Sequence, residues 1–443
     1  MDSIRSYLKN EGYNVIDDSF YSHISKWLGW YQGKVSSFHD YTQYNGKTVV
    51  ARSRATLSMA KKVCEDWANL IMNEKVKICV GNETAQDFLD SVLDKNNFKV
   101  RANRLTEICF ALGTGAFVEY KDGDDVAIDY VRADMIYPLA WENGKITGCA
   151  FVSERIVDGT ECVYMNIHTQ ENGRYIVRNK LFKAEYSGLT EMNLPEGILA
   201  EYEVGDMPMF QIITPNIVNN IDLDNPMGIS VFADSIDILK GIDLVYDSYQ
   251  NEFRLGKKRI LIPAGMAHIH RDDSGIMPIF DDNDTEFYVM NDKSLGELRE
   301  INMELRAEPH EKALKKNLDL LSAKCGLGSG RYSYENGSIK TATEVISDKN
   351  ELYQSVRKHE IIIRRAITEL ADSILRLGGF EDNEISTYFD DCVIEDTATL
   401  SDRALKELEH GIIDKTEYFM RVYNMSQAQG VQKVNEIKSR GSI

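Results

Sequence analysis

All eight prolines of this 443-residue chain fall between Pro138 and Pro309. Proline removes a backbone donor and breaks helix interiors. The 137 residues before Pro138 and the 134 after Pro309 are therefore free to form long helices, and the middle is where the chain turns often. The longest pattern lies in the C-terminal proline-free part. TATE reads as a capping box, with Thr341 as cap and Glu344 at the third position. The run VISDKNELYQSVRKHEIIIRRAITELADSILRL follows, up to Gly378. This is a helix of about 37 residues, about 55 Å at 1.5 Å per residue. A rod of that length holds in water only by packing along much of its length.

Two more long helices are expected. Over Ser230–Gly256, Ile238, Val245 and Glu252 lie seven apart, as do Leu239, Tyr246 and Phe253, with Ile242 and Tyr249 on the same side. That predicts about 26 helical residues, about 39 Å, stopped by Gly256. EPHEKALKKNLDLL opens the other, with Pro309 in its first turn and Gly326 at its end. A mixed segment from Lys257 to Arg306 separates the two, opening with the apolar run KKRILIP. Near the N-terminus, Leu57, Ala60, Val63, Cys64, Trp67 and Ile71 mark one face of an amphipathic helix, and Asn103–Leu112 a shorter one ended by Gly113 and Gly115. The first 50 residues hold the aromatic run FYSHISKWLGWYQGKVSSFHDY, read as packing, because aromatics supply much of a core's buried area.

Between residues 114 and 187 the period drops to two. Three strand–turn–strand units follow one another, and the second and third have Glu-Asn-Gly at their tips, at 142–144 and 171–173. Asn-Gly suits the positive φ angles of a tight hairpin. One meandering antiparallel sheet is expected there. Residues 188–229 read as irregular, with three prolines from Pro208 onward, at 208, 215 and 226. The tail reads as one strand, EISTYFDDCVIED, and two or three short helices.

The stretch GLGSGRYSYENGSIKTATEV, from Gly326 to Val345, resembles a phosphate-binding loop at first sight. That pattern requires a glycine directly before the lysine and a strand leading in. Here Ile339 precedes Lys340, and a helix leads in. The stretch is a glycine loop between two helices. Two further clusters need weighing. HIHRDD, His268–Asp273, offers two histidines and two carboxylates, but no further ligand nearby completes the three or four a metal needs. YFDDCVIED groups Asp390, Asp391, Glu395 and Asp396, as two-metal nucleases do, without the accompanying lysine or extra acids. No GxSxG, HExxH or strand-to-helix GxGxxG occurs. No catalytic residue, cofactor or metal is expected.

The charge balance is 51 Lys+Arg against 70 Asp+Glu, net −19, which argues against tight binding of nucleic acid over the whole surface. Basic residues nonetheless gather at Arg254, Lys257, Lys258 and Arg259, and at Lys312, Lys315, Lys316 and Lys324. Such strips are either solvated faces or are turned toward a polyanion or an acidic neighbour. The seven cysteines are scattered without a CxxC pair and are expected to be reduced thiols of an intracellular protein. Neither a signal peptide nor a membrane span is expected.

In its order of parts the chain resembles the portal proteins of tailed bacteriophages, in the branch common in phages of Gram-positive hosts. The stretches WYQGKVSSFHDY, SMAKKVCEDWANLIMNEKVKI, LGTGAFVEYKDG, NPMGISVFADSIDILKGIDLVYDSYQNEFRLGKKRILIP, TATEVISDKNELYQSVRKHE and FDDCVIEDTAT carry the resemblance over nearly the whole chain. It implies an α+β portal fold. Residues 1–229 would form the wing, 230–256 the first stem helix and 257–306 an α/β clip. Residues 307–326 would be the second stem helix, 327–340 the tunnel loop, 341–378 the long helix and 379–443 a strand with a short helical crown.

The resemblance further implies a ring, usually of twelve copies, at one capsid vertex, found in the virion and, during assembly, in the host cytoplasm. Double-stranded DNA would pass through it without sequence reading, and terminase, a head-completion or tail adaptor, and major capsid and scaffolding proteins would be its partners. DNA would meet Ser329, Arg331, Tyr332, Tyr334, Asn336 and Lys340 of the tunnel loop, whose glycines would let it flex. The clip, with Lys257, Lys258, Arg259, His268, His270 and Arg271, would meet terminase or the adaptor. The alternatives are a DNA-processing enzyme built on Asp390, Asp391, Glu395 and Asp396, or a different head–tail connector or minor capsid protein.

Overall fold

The structure is a computed structural model. It describes residues 2–44, 47–73, 76–123, 125–157, 159–185, 188–256, 258–263, 269–272, 275–278, 287–290, 299–332, 342–381, 383–389, 404–423, 430, 433–435 and 437.

The N-terminal third is helical. Helices α1 (Asp2–Asn10), α2 (Asp18–Tyr31) and α3 (Ser36–His39) lead into a hairpin, β1 (Asp40–Tyr44) and β2 (Val49–Ser53). Then come α4 (Met59–Ile71), β3 (Lys77–Val80), α5 (Glu83–Lys95) and α6 (Phe98–Leu112). The aromatic run packs inward as expected: Phe20, Tyr21, Trp27 and Trp30 are all buried. In α4 the face Ala60, Val63, Cys64, Trp67 and Ile71 is buried, as its spacing predicts. Helix α5 has no counterpart among the sequence expectations. Asn82 caps it, its side-chain oxygen accepting from the amides of Thr84 and Ala85. Helix α6 begins five residues earlier than the expected Asn103, at Phe98.

Residues 114–187 do not form one meander. Strands β4 (Gly115–Asp122) and β5 (Asp125–Arg132) belong to a three-stranded sheet, whose third member, β12 (Phe210–Ile213), returns to pair with β4. Strands β6 (Ile136–Glu142), β7 (Lys145–Val157), β8 (Thr160–Glu171), β9 (Arg174–Glu185) and β10 (Gly188–Met192) make a second sheet, with β11 (Glu201–Gly205) also on β9. A 3-10 turn at Ala133–Met135 divides the two sheets. Residues 188–213 thus carry three short strands where irregular chain was expected. Both Asn-Gly tips have the anticipated geometry, with positive φ at Asn143, Gly144, Asn172 and Gly173.

Helix α7 spans Ile236–Leu255. It starts six residues later than the apolar spacing suggests, because residues 230–235 dock on the end of α6 instead. There the Val231 amide and the Ser230 hydroxyl both bond the Phe110 carbonyl, a side-chain bond that competes with helix formation. Beyond α7 lie β13 (Arg259–Pro263), β14 (Ile269–Asp272), β15 (Gly275–Pro278), β16 (Phe287–Met290) and β17 (Arg299–Ile301). Strand β13 runs parallel to β16 and antiparallel to β17. Helix α8 (Ala307–Lys324) returns along α7, and α9 (Ala342–Leu377) runs its 36 residues across β12, β4, α4 and α5. Strand β18 (Ile385–Tyr388) pairs with β3. A helix at Lys415–Tyr423 follows in the tail.

Where α6 ends, two backbones meet. Gly113 has φ +88°, and a Cβ there would stand 2.3 Å from the Gly228 carbonyl oxygen, while a Cβ on Gly228 would stand 2.4 Å from that of Gly113. Both positions exclude any side chain. Gly113→Ala and Gly228→Ala are each expected to cost about 2–4 kcal/mol, read as a lowered denaturant midpoint. An unchanged midpoint would show that the two segments can part without loss.

Candidate functional site

The glycine loop leaves α8 through a Schellman turn. The Leu327 amide bonds the Ser322 carbonyl (2.9 Å) and the Gly326 amide that of Ala323 (3.1 Å). Gly326, Gly328 and Gly330 have φ of +76°, +76° and +77°, so these alternate glycines set the path of the loop root in the left-handed region. The Ser322 hydroxyl bonds the Gly328 carbonyl, and Leu327 is buried.

Helix α4 grips this root. The Trp67 indole N–H donates to the Cys325 carbonyl at 3.0 Å. Asp66, buried on the next position, binds Lys62 (2.9 Å) and Arg331 (3.6 Å). The Tyr332 phenol is buried, and burial first, the Asp66 carboxylate second, pushes its pKa up. Of the residues expected to face DNA, Ser329 and Arg331 are exposed and Tyr332 is packed inward. Tyr334, Asn336 and Lys340 lie outside the described residues, as does Thr341, the expected cap of α9.

The same Trp67 holds α9. The His359 ring meets Trp67 at 4.6 Å and Phe110 at 5.0 Å between centroids. Its Nδ1 accepts the Asn216 amide at 2.9 Å, so the proton sits on Nε2. Burial lowers its pKa to about 3, so it stays neutral. Further along, Gln211 of β12 donates to Glu119 of β4 (2.6 Å) and to Ser373 of α9 (3.3 Å), joining the helix to the sheet.

Helix α7 carries another buried carboxylate, Asp243. It accepts from the Leu57 amide (2.8 Å), the Thr56 hydroxyl (3.1 Å) and His39 Nε2 (3.1 Å). Facing an acceptor-only carboxylate, Nε2 is the donor, while Nδ1 lies 3.1 Å from the Val35 amide and 3.2 Å from the Val35 carbonyl. Asp247, one turn on, accepts from the Ala55 amide at 3.0 Å. His39 and His359 thus both have polar partners inside the fold.

At the far end of the α7–α8 pair, Arg306 bonds Glu252 through its backbone amide and its guanidinium. Lys258 pairs with Glu300 at 2.5 Å, Arg254 with Asn251 at 2.6 Å, and Arg259 bonds the Leu255 carbonyl at 3.3 Å. His270 and Arg271 sit on β14. Lys257, His268 and the Asp390, Asp391, Glu395 and Asp396 cluster lie outside the described residues. Among the described residues, no group of three or more His, Cys, Asp or Glu could hold a metal ion, and no helix is long and apolar enough to cross a membrane.

A family model described as phage portal protein, SPP1 Gp6-like, matches residues 12–442. A comparison with curated proteins finds no match. Among solved structures, a chain from the virion of a native gene transfer agent particle is 11% identical, over 82% of this chain and 89% of its own, with a TM-score of 0.42. A chain from the neck of an empty gene transfer agent particle is 11% identical, over 82% and 87%, with a TM-score of 0.41. Likenesses this distant carry no conclusion.

The Glu119 contact makes a pH prediction. Burial raises its pKa to about 8, against the lowering by its hydrogen bonds. In the unfolded chain it titrates in the ordinary range, about 4.3. Between those limits the folded chain holds the extra proton, so its contribution is full at low pH and is lost as pH rises toward 8. Glu119→Gln is expected to flatten the fall in melting temperature between pH 5 and 8, removing up to about 1.4 kcal/mol per pH unit. Thermal melts across that range check it, and equal slopes in the two proteins would refute it.

Proposed function

The chain belongs to the SPP1 Gp6-like phage portal proteins, and from that premise we propose the parts its segments play in the portal ring. The family's role is structural: its members form the portal of the virion, the neck through which the head is filled and emptied. In this reading twelve copies form the ring, it has no catalytic centre, and double-stranded DNA passes through without sequence reading. The wing would be residues 1–229, the paired stem helices α7 and α8, and the clip residues 257–306. The clip, with Lys257, Lys258, Arg259, His268, His270 and Arg271, would dock terminase and later the tail adaptor. Scaffolding and major capsid proteins would surround the wing.

The observation that carries the ring is the stem. Helix α7 projects as 20 residues, about 30 Å. Its buried residues, Ile236, Leu239, Ile242 and Asp243, all lie in its first half, and those of α8, Leu318, Leu321 and Ser322, in its last. The distal half of the pair has no buried residue of its own. Leu244, Phe253 and Leu255 are 49%, 47% and 55% exposed. Two helices alone do not bury such side chains, whereas neighbours in a ring would.

The tunnel loop divides at Tyr332 in this proposal. The root, Gly326–Tyr332, is a fixed bracket on α4, with Ser329 and Arg331 turned outward. Tyr334, Asn336 and Lys340 would follow as the part that touches moving DNA. Contacts of this kind would go to phosphates and sugars and carry no sequence information. An acidic chain suits the task, since dense phosphate neutralisation would hold DNA in place.

Electron microscopy of the purified protein, with native mass, tests the ring: closed rings with a central hole are expected. Protein that stays monomeric with scaffold and capsid protein added would refute it. For the loop, deleting residues 333–337 is expected to leave ring assembly intact and abolish packaging or retention of DNA in particles. Loss of assembly would instead make the segment a subunit contact.

A further inference from the structure

Two features of the described surface leave large apolar side chains exposed. The first is the loop between β12 and α7, residues 216–225. Its own side chains brace it. Asn219 Oδ1 accepts the amides of Ile221 and Asp222, both at 3.1 Å, and its amide group donates to the Met227 carbonyl at 2.9 Å. Asn225 Oδ1 accepts the Met227 amide at 3.0 Å, and the Asn220 amide group donates to Asp234 at 3.0 Å. Held on this frame, Val218, Ile221 and Leu223 point outward, 75%, 41% and 78% exposed, with Asp222 and Asp224 exposed among them. A braced apolar loop loses little conformational freedom on docking.

The second feature is the outward face of α9. Ile361, 66% exposed, sits in a shallow groove of about 530 Å³ lined by Arg357, Arg364 and Arg365 with Glu360, Thr368 and Glu369. Glu360 is buried beneath Arg357 (3.1 Å) and Arg364 (3.6 Å), and Arg365 pairs with Glu369 (2.9 Å), so the rim sets three guanidinium groups against two carboxylates, one of them covered. On a chain of net charge −19, this is a weakly basic patch with an apolar floor.

The two features lie on opposite sides of α9. Asn216, at the root of the loop, bonds His359. Residues 357, 361, 364 and 368 project roughly 140–180° away from His359 at 3.6 residues per turn. Complementary patches on opposite sides of one chain make a head-to-tail contact, the kind that repeats by rotation and closes into a ring. We propose that loop 216–225 of one copy docks on the α9 groove of the next. Ile221 and Leu223 cover Ile361 and the arginine stems, and Asp222 and Asp224 face Arg364 and Arg365. The assignment rests on the ring reading above and names the surfaces that join its copies.

The test is intermolecular cross-linking. Leu223→Cys with Ile361→Cys, in a Cys79→Ser/Cys392→Ser background, is expected to give under mild oxidation a ladder of covalent oligomers up to ring size. In parallel, Asp222→Lys/Asp224→Lys and Arg364→Glu/Arg365→Glu should each lower the ring fraction in native mass by about tenfold, and the four changes together should restore it. Rings in the parent protein with no ladder, and with both charge variants assembling normally, overturn this interface and leave the ring standing. Absence of rings in the parent, with scaffold and capsid protein added, overturns both. Arg364→Glu/Arg365→Glu particles that assemble but fail to retain DNA overturn the interface in favour of a nucleic-acid face.

Discussion

The buried carboxylate of Asp243 is the contact on which much of the arrangement depends. A carboxylate out of water is tolerated only when its lone pairs are satisfied, and here three donors converge on it from Leu57, Thr56 and His39. Thr56 and Leu57 belong to the stretch that leads into α4, and His39 ends α3. The contact therefore sets where α4 starts relative to α7. Helix α4 in turn presents Trp67 and Asp66, which hold the end of α8, the root of the glycine loop and, through His359, the middle of α9. Breaking a buried charged contact of this kind costs about 3–5 kcal/mol. The cost would spread beyond α7, because α4, α7, α8 and α9 are located by one chain of contacts.

That chain of contacts ends abruptly along α7 and α8. Above Asp243 the helices share the core; below it they share only each other. Their far ends are tied by Glu252, half-buried, and Arg306, whose side chain is 72% exposed, and ion pairs open to solvent contribute little to stability. Gly256 adds a steric limit there, since a Cβ would stand 2.5 Å from Leu305. The chain thus has a firmly packed body and a helix pair whose far half buries no residue of its own.

What could be read from the sequence was local. The extent of α9 follows from a sustained period, and the hairpin tips follow from Asn143-Gly144 and Asn172-Gly173. Each is decided by residues within one turn of each other. What could not be read was pairing over distance. β12 joins β4 across about ninety residues of chain, so 114–187 looked like one sheet when it is two. Helix α5 hides because its buried stripe is only Ala85, Leu89 and Val92. Asp66 and Asp243 did leave a trace, since each is a charged residue set among the apolar positions of an amphipathic helix. A charge on the wet side of a helix asks for nothing, but one on the buried face demands a partner, and neither sequence stretch says that the partners come from residues 331 and 39.

The glycines of the loop change meaning in this light. In a free loop they would serve as sources of flexibility. At 326, 328 and 330 they serve instead as left-handed positions that a Cβ would strain, and the chain between them is hydrogen-bonded to α8 and packed on Trp67. A loop whose root moved would transmit little to the body of the subunit. One whose root is clamped to α4, the helix that also holds α9, is coupled to the long helix through Trp67 and His359.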